Sequence, residues 1–171
     1  MATARTSDDT RKSTTRKSAK QEMDAIQLLK ADHRQVEEWF EEFEKSRADG
    51  KKEKLAHKIC KALTVHTQIE EEIFYPAFLE ATGEEDMSDE AYVEHDGAKK
   101  LIAQIEAGTA QSDKWEAKVT VLSEMIKHHV HEEEMRDGMF AKAKKSSMDL
   151  DELGMRMAAR KKELMKNAGK L

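Results

Sequence analysis

A chain of 171 residues with 7 Gly, 1 Pro, and charged and hydrophobic residues at 38% each fits one helical domain with its own core rather than a sheet protein. Its single cysteine, Cys60, excludes an internal disulfide and leaves no thiolate set for zinc or an iron–sulfur cluster. The formal charge is −5, and the chain has neither an apolar run of about eighteen residues to cross a membrane nor the apolar core of a secretory signal; a soluble, cytoplasmic protein is expected.

Residues 1–20 carry Arg5, Arg11, Lys12, Arg16, Lys17 and Lys20 against Asp8 and Asp9, with almost no apolar side chain, and are expected to be a disordered basic tail. A first helix is expected from about Gln21 to Arg47. Its apolar stripe is Leu29, His33, Val36, Phe40 and Phe43, and it stops at Asp49-Gly50. A second is expected from about Lys52 to Leu79, striped by Leu55, Ile59, Leu63, His66, Glu70 and Ile73, with Pro76 kinking or ending it. After a loop from Thr82 to Met87, Ser88 or Asp89 is expected to cap a third helix carrying Tyr92, His95, Ala98, Ile102 and Ile105, closed by Gly108. Ser112 or Asp113 should cap a fourth, striped by Trp115, Leu122, Ile126, His129, Glu133 and Phe140 and weakened near Gly138. A last helix follows Asp149, with Leu150, Leu153, Met157 and Leu164 as a lid packed across the bundle or a surface for a partner.

Short connections imply antiparallel neighbours. The expected fold is all-α: an antiparallel up-down-up-down four-helix bundle over residues 21–146, with an additional C-terminal helix within 147–171 packed on it.

Four of the seven histidines fall on these stripes, one per bundle helix: His33, His66, His95 and His129. Two of them open a His-x-x-x-Glu step, His66-Thr-Gln-Ile-Glu70 and His129-Val-His-Glu-Glu133. That step sets both side chains about 40° apart on one face, at roughly 100° per residue. A glutamate on an apolar stripe is costly to bury alone. A cation removes that cost, because carboxylate and neutral imidazole both become ligands. Four imidazoles and two carboxylates would serve two transition-metal ions, iron first among them. The competing interpretation is a set of buried His–Glu hydrogen bonds with no metal.

His57 and His131 should face solvent, about 180° from His66 and about 160° from His129 at roughly 100° per residue. His128-x-x-x-Glu132 matches the spacing as well as His129-x-x-x-Glu133, and aligning residues 70–72 with 132–134 pairs His66 with His128. On periodicity alone both pairs stay open. The outer members of the Glu runs 70–72 and 132–134 are expected as solvated charge, with Glu71 or Glu134 as candidates to orient imidazoles. The Glu-x-x-His of ferritin-like di-iron sites, the His-Glu-x-x-His of zinc proteases and a Gly-rich phosphate loop are all absent.

Together these segments resemble the hemerythrin-like, HHE cation-binding family: Leu-Lys-Ala-Asp-His33, His66-Thr-Gln-Ile-Glu70-Glu-Glu-Ile-Phe-Tyr-Pro76, Glu94-His95-Asp96 and His128-His129-Val-His-Glu-Glu133-Glu. The resemblance covers about residues 25–145 and implies a four-helix bundle around a non-haem centre of two iron ions. It selects His33, His66, Glu70, His95, His129 and Glu133 as the metal ligands. The chain departs from the oxygen-carrying hemerythrins at Lys99, where those carry a further histidine, and in using Glu at a four-residue step where they use Asp at a five-residue step. Reversible oxygen carriage therefore does not follow.

The leading expectation is a non-haem di-iron protein with a centre reactive toward dioxygen or peroxide, in an oxygen, redox or iron stress setting. Alternatives are a di-iron enzyme processing peroxide or nitric oxide, and an iron-sequestering or structural bundle. Dioxygen or peroxide is the expected small ligand. Neither nucleic acid nor a membrane is expected as a partner, and no protein partner is assigned.

Overall fold

The computed structural model describes residues 23–167; the basic tail expected at residues 1–20 lies outside them. Helix α1 spans Ala25–Lys45, α2 Asp49–Ile69, a π-helical turn Glu70–Phe74, α3 Tyr75–Thr82, α4 Glu85–Glu106, α5 Trp115–Glu134, α6 Met139–Lys145 and α7 Leu150–Asn167; no strand occurs among the described residues. The π turn joins α2 and α3 into one long element, so four long elements run up, down, up and down. α1 packs on α2, α2 on α4, α4 on α5 and α5 back on α1. No helix among the described residues is long and apolar enough to cross a membrane.

Local chemistry explains where the helix ends depart from expectation. α1 starts four residues late, because Asp24 caps it: its carboxylate accepts from the Gln27 backbone N–H at 2.8 Å, and the Gln27 side chain accepts from the Asp24 N–H at 3.2 Å. Asp49 and Gly50 do not stop α1; it ends at Lys45, and they form the first turn of α2. α4 begins at Glu85, which leaves Ser88 buried inside the helix rather than capping it. Neither Ser112 nor Asp113 caps α5. Ser112 Oγ accepts from the Thr109 N–H at 2.9 Å within the preceding loop, and Lys114 at φ 58° leads into the helix.

Pro76 does not end the second long element. It sits in the first turn of α3, directly after the π turn, where the ladder is already widened. The Tyr92 hydroxyl donates to the Glu71 carbonyl at 3.4 Å. The wide turn also shifts the buried face by one residue: Phe74 and Tyr75 are fully buried, while Ile73 is only half-buried.

α5 stops immediately after Glu134, and the chain doubles back through Gly138, where a Cβ would stand 2.2 Å from the Glu132 carbonyl oxygen. This return lets α6 place Phe140 against His33, with rings parallel and centroids 5.9 Å apart. The core has two parts. One is built on Phe43, Ile59, Leu63, Trp115 and Leu122, the other on Leu29, Ile69, Phe74, Phe78 and Phe140, and the histidine and glutamate side chains lie between them.

α7 packs on α1, α2 and the π turn through Leu153, Gly154 and Met157. Asp149 Oδ1 accepts from the Glu152 N–H at 3.0 Å and caps it. A Cβ on Gly154 would meet the Met23 carbonyl oxygen at 2.5 Å and the Ala25 nitrogen at 2.8 Å. Gly154→Ala is expected to cost about 1–3 kcal/mol by forcing α7 off the start of α1. Thermal unfolding should show a melting temperature lowered by several degrees; an unchanged value would mean that α7 is not held at this contact.

Candidate metal centre

His33 on α1, His66 on α2, His95 on α4 and His129 on α5 point inward at the same level, with Glu70 opening the π turn and Glu133 one turn after His129. All six are between 0 and 5% exposed. The six residues singled out from the sequence thus meet in one place. The structure also separates the two candidate pairs on α5: His129 and Glu133 are buried, whereas the His128 side chain is 63% exposed. His57 and His131 are exposed, as their rotation around the helix required.

The imidazoles form two pairs. His33 Nε2 lies 3.1 Å from His66 Nε2, and His95 Nε2 lies 3.3 Å from His129 Nε2. Each buried glutamate spans both pairs. Glu70 sets Oε1 3.2 Å from His66 Nε2 and Oε2 3.3 Å from His95 Nε2. Glu133 sets Oε2 3.4 Å from His33 Nε2 and Oε1 3.6 Å from His129 Nε2. Eight donor atoms therefore converge as two sets of two nitrogens and two oxygens.

A carboxylate holds each imidazole from behind. His33 Nδ1 is 2.7 Å from Glu134, His66 Nδ1 3.4 Å from Asp32, His95 Nδ1 2.9 Å from Glu71, and His129 Nδ1 2.7 Å from Glu94. Such bonds fix the tautomer that carries its proton on Nδ1 and leave the Nε2 lone pair facing the centre. Glu71 and Glu134 were legible as orienting groups; Asp32 and Glu94 were not. Their signal was adjacency, since each directly precedes a candidate ligand on its helix and reaches the histidine of the neighbouring helix.

Beyond these carboxylates stands a layer of cations. Lys99 Nζ is 2.6 Å from Glu71, Arg34 is 2.6 Å from Glu134, and Lys161 of α7 pairs with Asp32. Lys99, at the position where oxygen carriers have a further histidine, thus faces away from the centre and steadies His95 through Glu71.

Tyr75 is the residue that the sequence left unassigned. In a regular α-helix it would stand about 140° from Glu70, at roughly 100° per residue. The π turn brings it onto the same face. Its hydroxyl lies 3.1 Å from His95 Nε2, 3.1 Å from Glu133 Oε1 and 3.4 Å from Glu70 Oε2. Burial, and then the charges of Glu133 and Glu70, push its phenol well above the usual range, so it keeps its proton.

The protonation pattern is that of a site lacking positive charge. Burial works to lower His66, but Glu70 and Asp32 raise it to about 10. Burial, and then the charge of Glu70, raise Glu133 to about 8. Burial lowers His33 to about 4, so at neutral pH it is uncharged and donates Nδ1–H to Glu134. Glu70 Oε1 and Glu133 Oε2 are buried with no hydrogen-bond partner. Buried carboxylate oxygens set against imidazole Nε2 atoms fit a cation in place of the protons that the site otherwise retains.

Comparison with known proteins agrees with this architecture. The model of the family described as hemerythrin HHE cation-binding domain matches residues 24–142. A protein of Nostoc sp. described as a DNA nickase is 32% identical over 120 residues, which make up 70% of this chain but 34% of that protein, so the chain spans about a third of its relative's length. The crystal structure of a hemerythrin HHE cation-binding domain-containing protein from Mycobacterium kansasii superposes with a TM-score of 0.71 at 21% identity, covering 85% of this chain and 89% of that one.

The protons on His66 and Glu133 predict how the metal-free protein responds to pH. His66 rises from 6.5 unfolded to about 10 folded, so its contribution is complete below pH 6.5 and is lost as pH climbs toward 10. Glu133, at about 8 folded against 4.5 unfolded, loses its contribution between pH 4.5 and 8 and so adds to the fall only up to pH 8. The melting temperature of the metal-free protein should therefore fall from pH 6.5 to 10, and divalent metal should bind more tightly as pH rises, with release of protons. A melting temperature that rises over this interval would contradict the assignment.

Proposed function

The chain belongs to the hemerythrin HHE cation-binding family, and on that premise we propose that it is a non-haem di-iron protein whose buried centre reacts with dioxygen or peroxide. The observation that carries this reading is the pair of buried glutamates, each offering one oxygen to either histidine pair. His33 and His66 would hold one ion and His95 and His129 the other, with Glu70 and Glu133 shared. Mixed imidazole and carboxylate ligation suits iron and leaves coordination positions for a small ligand. Two ferrous ions, when bound, supply two electrons to dioxygen or peroxide.

The chain's own residues support such chemistry in three ways. The Nδ1 carboxylates hold the imidazoles in place, so little reorganisation accompanies a change of charge at the centre. Val36, Leu63 and Ile126 wall a void of about 10 Å³ against the histidines, near the least that admits one water-sized guest. Tyr75 keeps its proton, donates it in a hydrogen bond to Glu133 at 3.1 Å, and would offer the same hydroxyl as a hydrogen-bond donor to a small oxygen ligand held on the His95–His129 side. That buried hydrogen-bond donor, aimed at the His95–His129 side, is the observation that makes the peroxide-processing enzyme the second reading.

Metal analysis with optical spectra of the ferrous protein, before and after air or peroxide, tests the proposal. His66→Ala, Glu133→Ala and His129→Ala should each at least halve the iron content, and His128→Ala should keep both buried ions. Tyr75→Phe should retain iron but slow peroxide consumption by about a hundredfold. Full iron content in the His66, Glu133 and His129 variants would refute the centre, and unchanged peroxide consumption in Tyr75→Phe would remove the tyrosine's role.

A further inference from the structure

We propose that Glu94, His128 and Glu132 form a second, outer site for a divalent metal ion, set at the mouth of a cavity that leads inward to the centre. Its role as a loading station rests on the di-iron reading above; its existence does not. His128 Nε2 lies 3.4 Å from Glu94 Oε1 and 3.1 Å from Glu132 Oε1, and one ligating atom from each residue falls within 4.8 Å of the others. Two carboxylates and one imidazole at this spacing make a three-ligand site with room for water in the remaining positions.

The layer of cations behind the centre supplies the first argument. Asp32, Glu71 and Glu134 each end on a lysine or arginine. Glu94, the fourth of the set, has no such partner among the described residues; it faces His128 Nε2, the same ring nitrogen that Glu132 approaches. Where the other three positions carry a permanent cation, this one carries a metal-binding side chain and a surplus of negative charge.

The cavity supplies the second. About 90 Å³ of open space is lined by Glu90, Glu94 and Glu132 toward the surface and by His129 and Glu133 toward the core. Glu133 is buried, and its Oε2 has no hydrogen-bond partner. A cation held at the mouth thus faces a path whose inner end is the buried Glu133 carboxylate, with Oε1 beside His129 and the unpartnered Oε2 turned toward His33. Glu94 joins the two levels, with Oε1 toward His128 and Oε2 2.7 Å from His129 Nδ1. His128-x-x-x-Glu132 repeats the step of His129-x-x-x-Glu133 one residue earlier, about 100° around the helix.

Anaerobic titration of the metal-free full chain with Co²⁺, followed calorimetrically and by visible absorption, tests the site. The parent should take up one more equivalent than either Glu132→Gln or the His128→Ala/Glu132→Gln double variant. Filling of the buried positions should be about tenfold slower in the variants, the scale on which a charged mouth accelerates capture of an ion. Equal uptake, or an equal filling rate, in parent and variants would overturn the proposal. Failure of the core reading would look different: His66→Ala would leave total uptake unchanged, while Glu132→Gln would still remove an equivalent.

Discussion

The burial of two glutamates in the middle of a helical bundle is the constraint on which everything else turns. Glu70 and Glu133 are 0 and 2% exposed, and each has an oxygen with no hydrogen-bond donor. An isolated carboxylate in such surroundings costs more than the fold of a single domain can absorb. In the metal-free chain, protons offset part of that cost. His66 is held protonated far above its usual range, and Glu133 is pushed toward the neutral form. This arrangement is unstable to a better solution, since a divalent cation replaces the borrowed protons and satisfies the orphaned oxygens together.

From that constraint the surrounding layers follow outward. Each imidazole must present a bare Nε2, which requires a carboxylate behind its Nδ1, and Asp32, Glu71, Glu94 and Glu134 supply them. Those half-buried carboxylates in turn need positive charge. Lys99 comes from α4, Arg34 from α1 and Lys161 from α7. The C-terminal helix therefore does more than cover apolar surface: through Lys161 and Asp32 it reaches the back of His66, so its docking and the orientation of a ligand are one linked event.

The bundle and its inward histidines were legible because both depend on regular helical periodicity. One stripe per helix and short connections suffice to place His33, His66, His95 and His129 at one level. What escaped lies where periodicity fails. The π turn from Glu70 to Phe74 shifts the face by one residue, burying Phe74 in place of Ile73 and turning Tyr75 onto the centre. It also accommodates Pro76, which in a regular ladder would have ended the helix. The choice between His128 and His129 was a near tie for a related reason: neighbouring residues on one helix differ by a rotation that only tertiary packing resolves. Asp32 and Glu94 were overlooked because an acid beside a histidine reads as ordinary surface charge until a neighbouring helix is placed against it.

The two halves of the centre are related by an approximate twofold, and the ways they differ give it a direction. Each half has two imidazoles, one oxygen from either glutamate, and two carboxylates behind. The His33–His66 half is sealed by Phe140 stacked on His33 and by α7 through Lys161. The His95–His129 half carries Tyr75 with its retained proton, the cavity reaching outward past Glu133, and the one supporting carboxylate that meets no lysine or arginine among the described residues. The buried hydroxyl, the cavity and the His128–Glu132 pair all fall on the same side. A symmetric bundle would present two equivalent histidine pairs; this one has a closed half, packed under Phe140 and α7, and an open half with a buried hydroxyl and a cavity beside it.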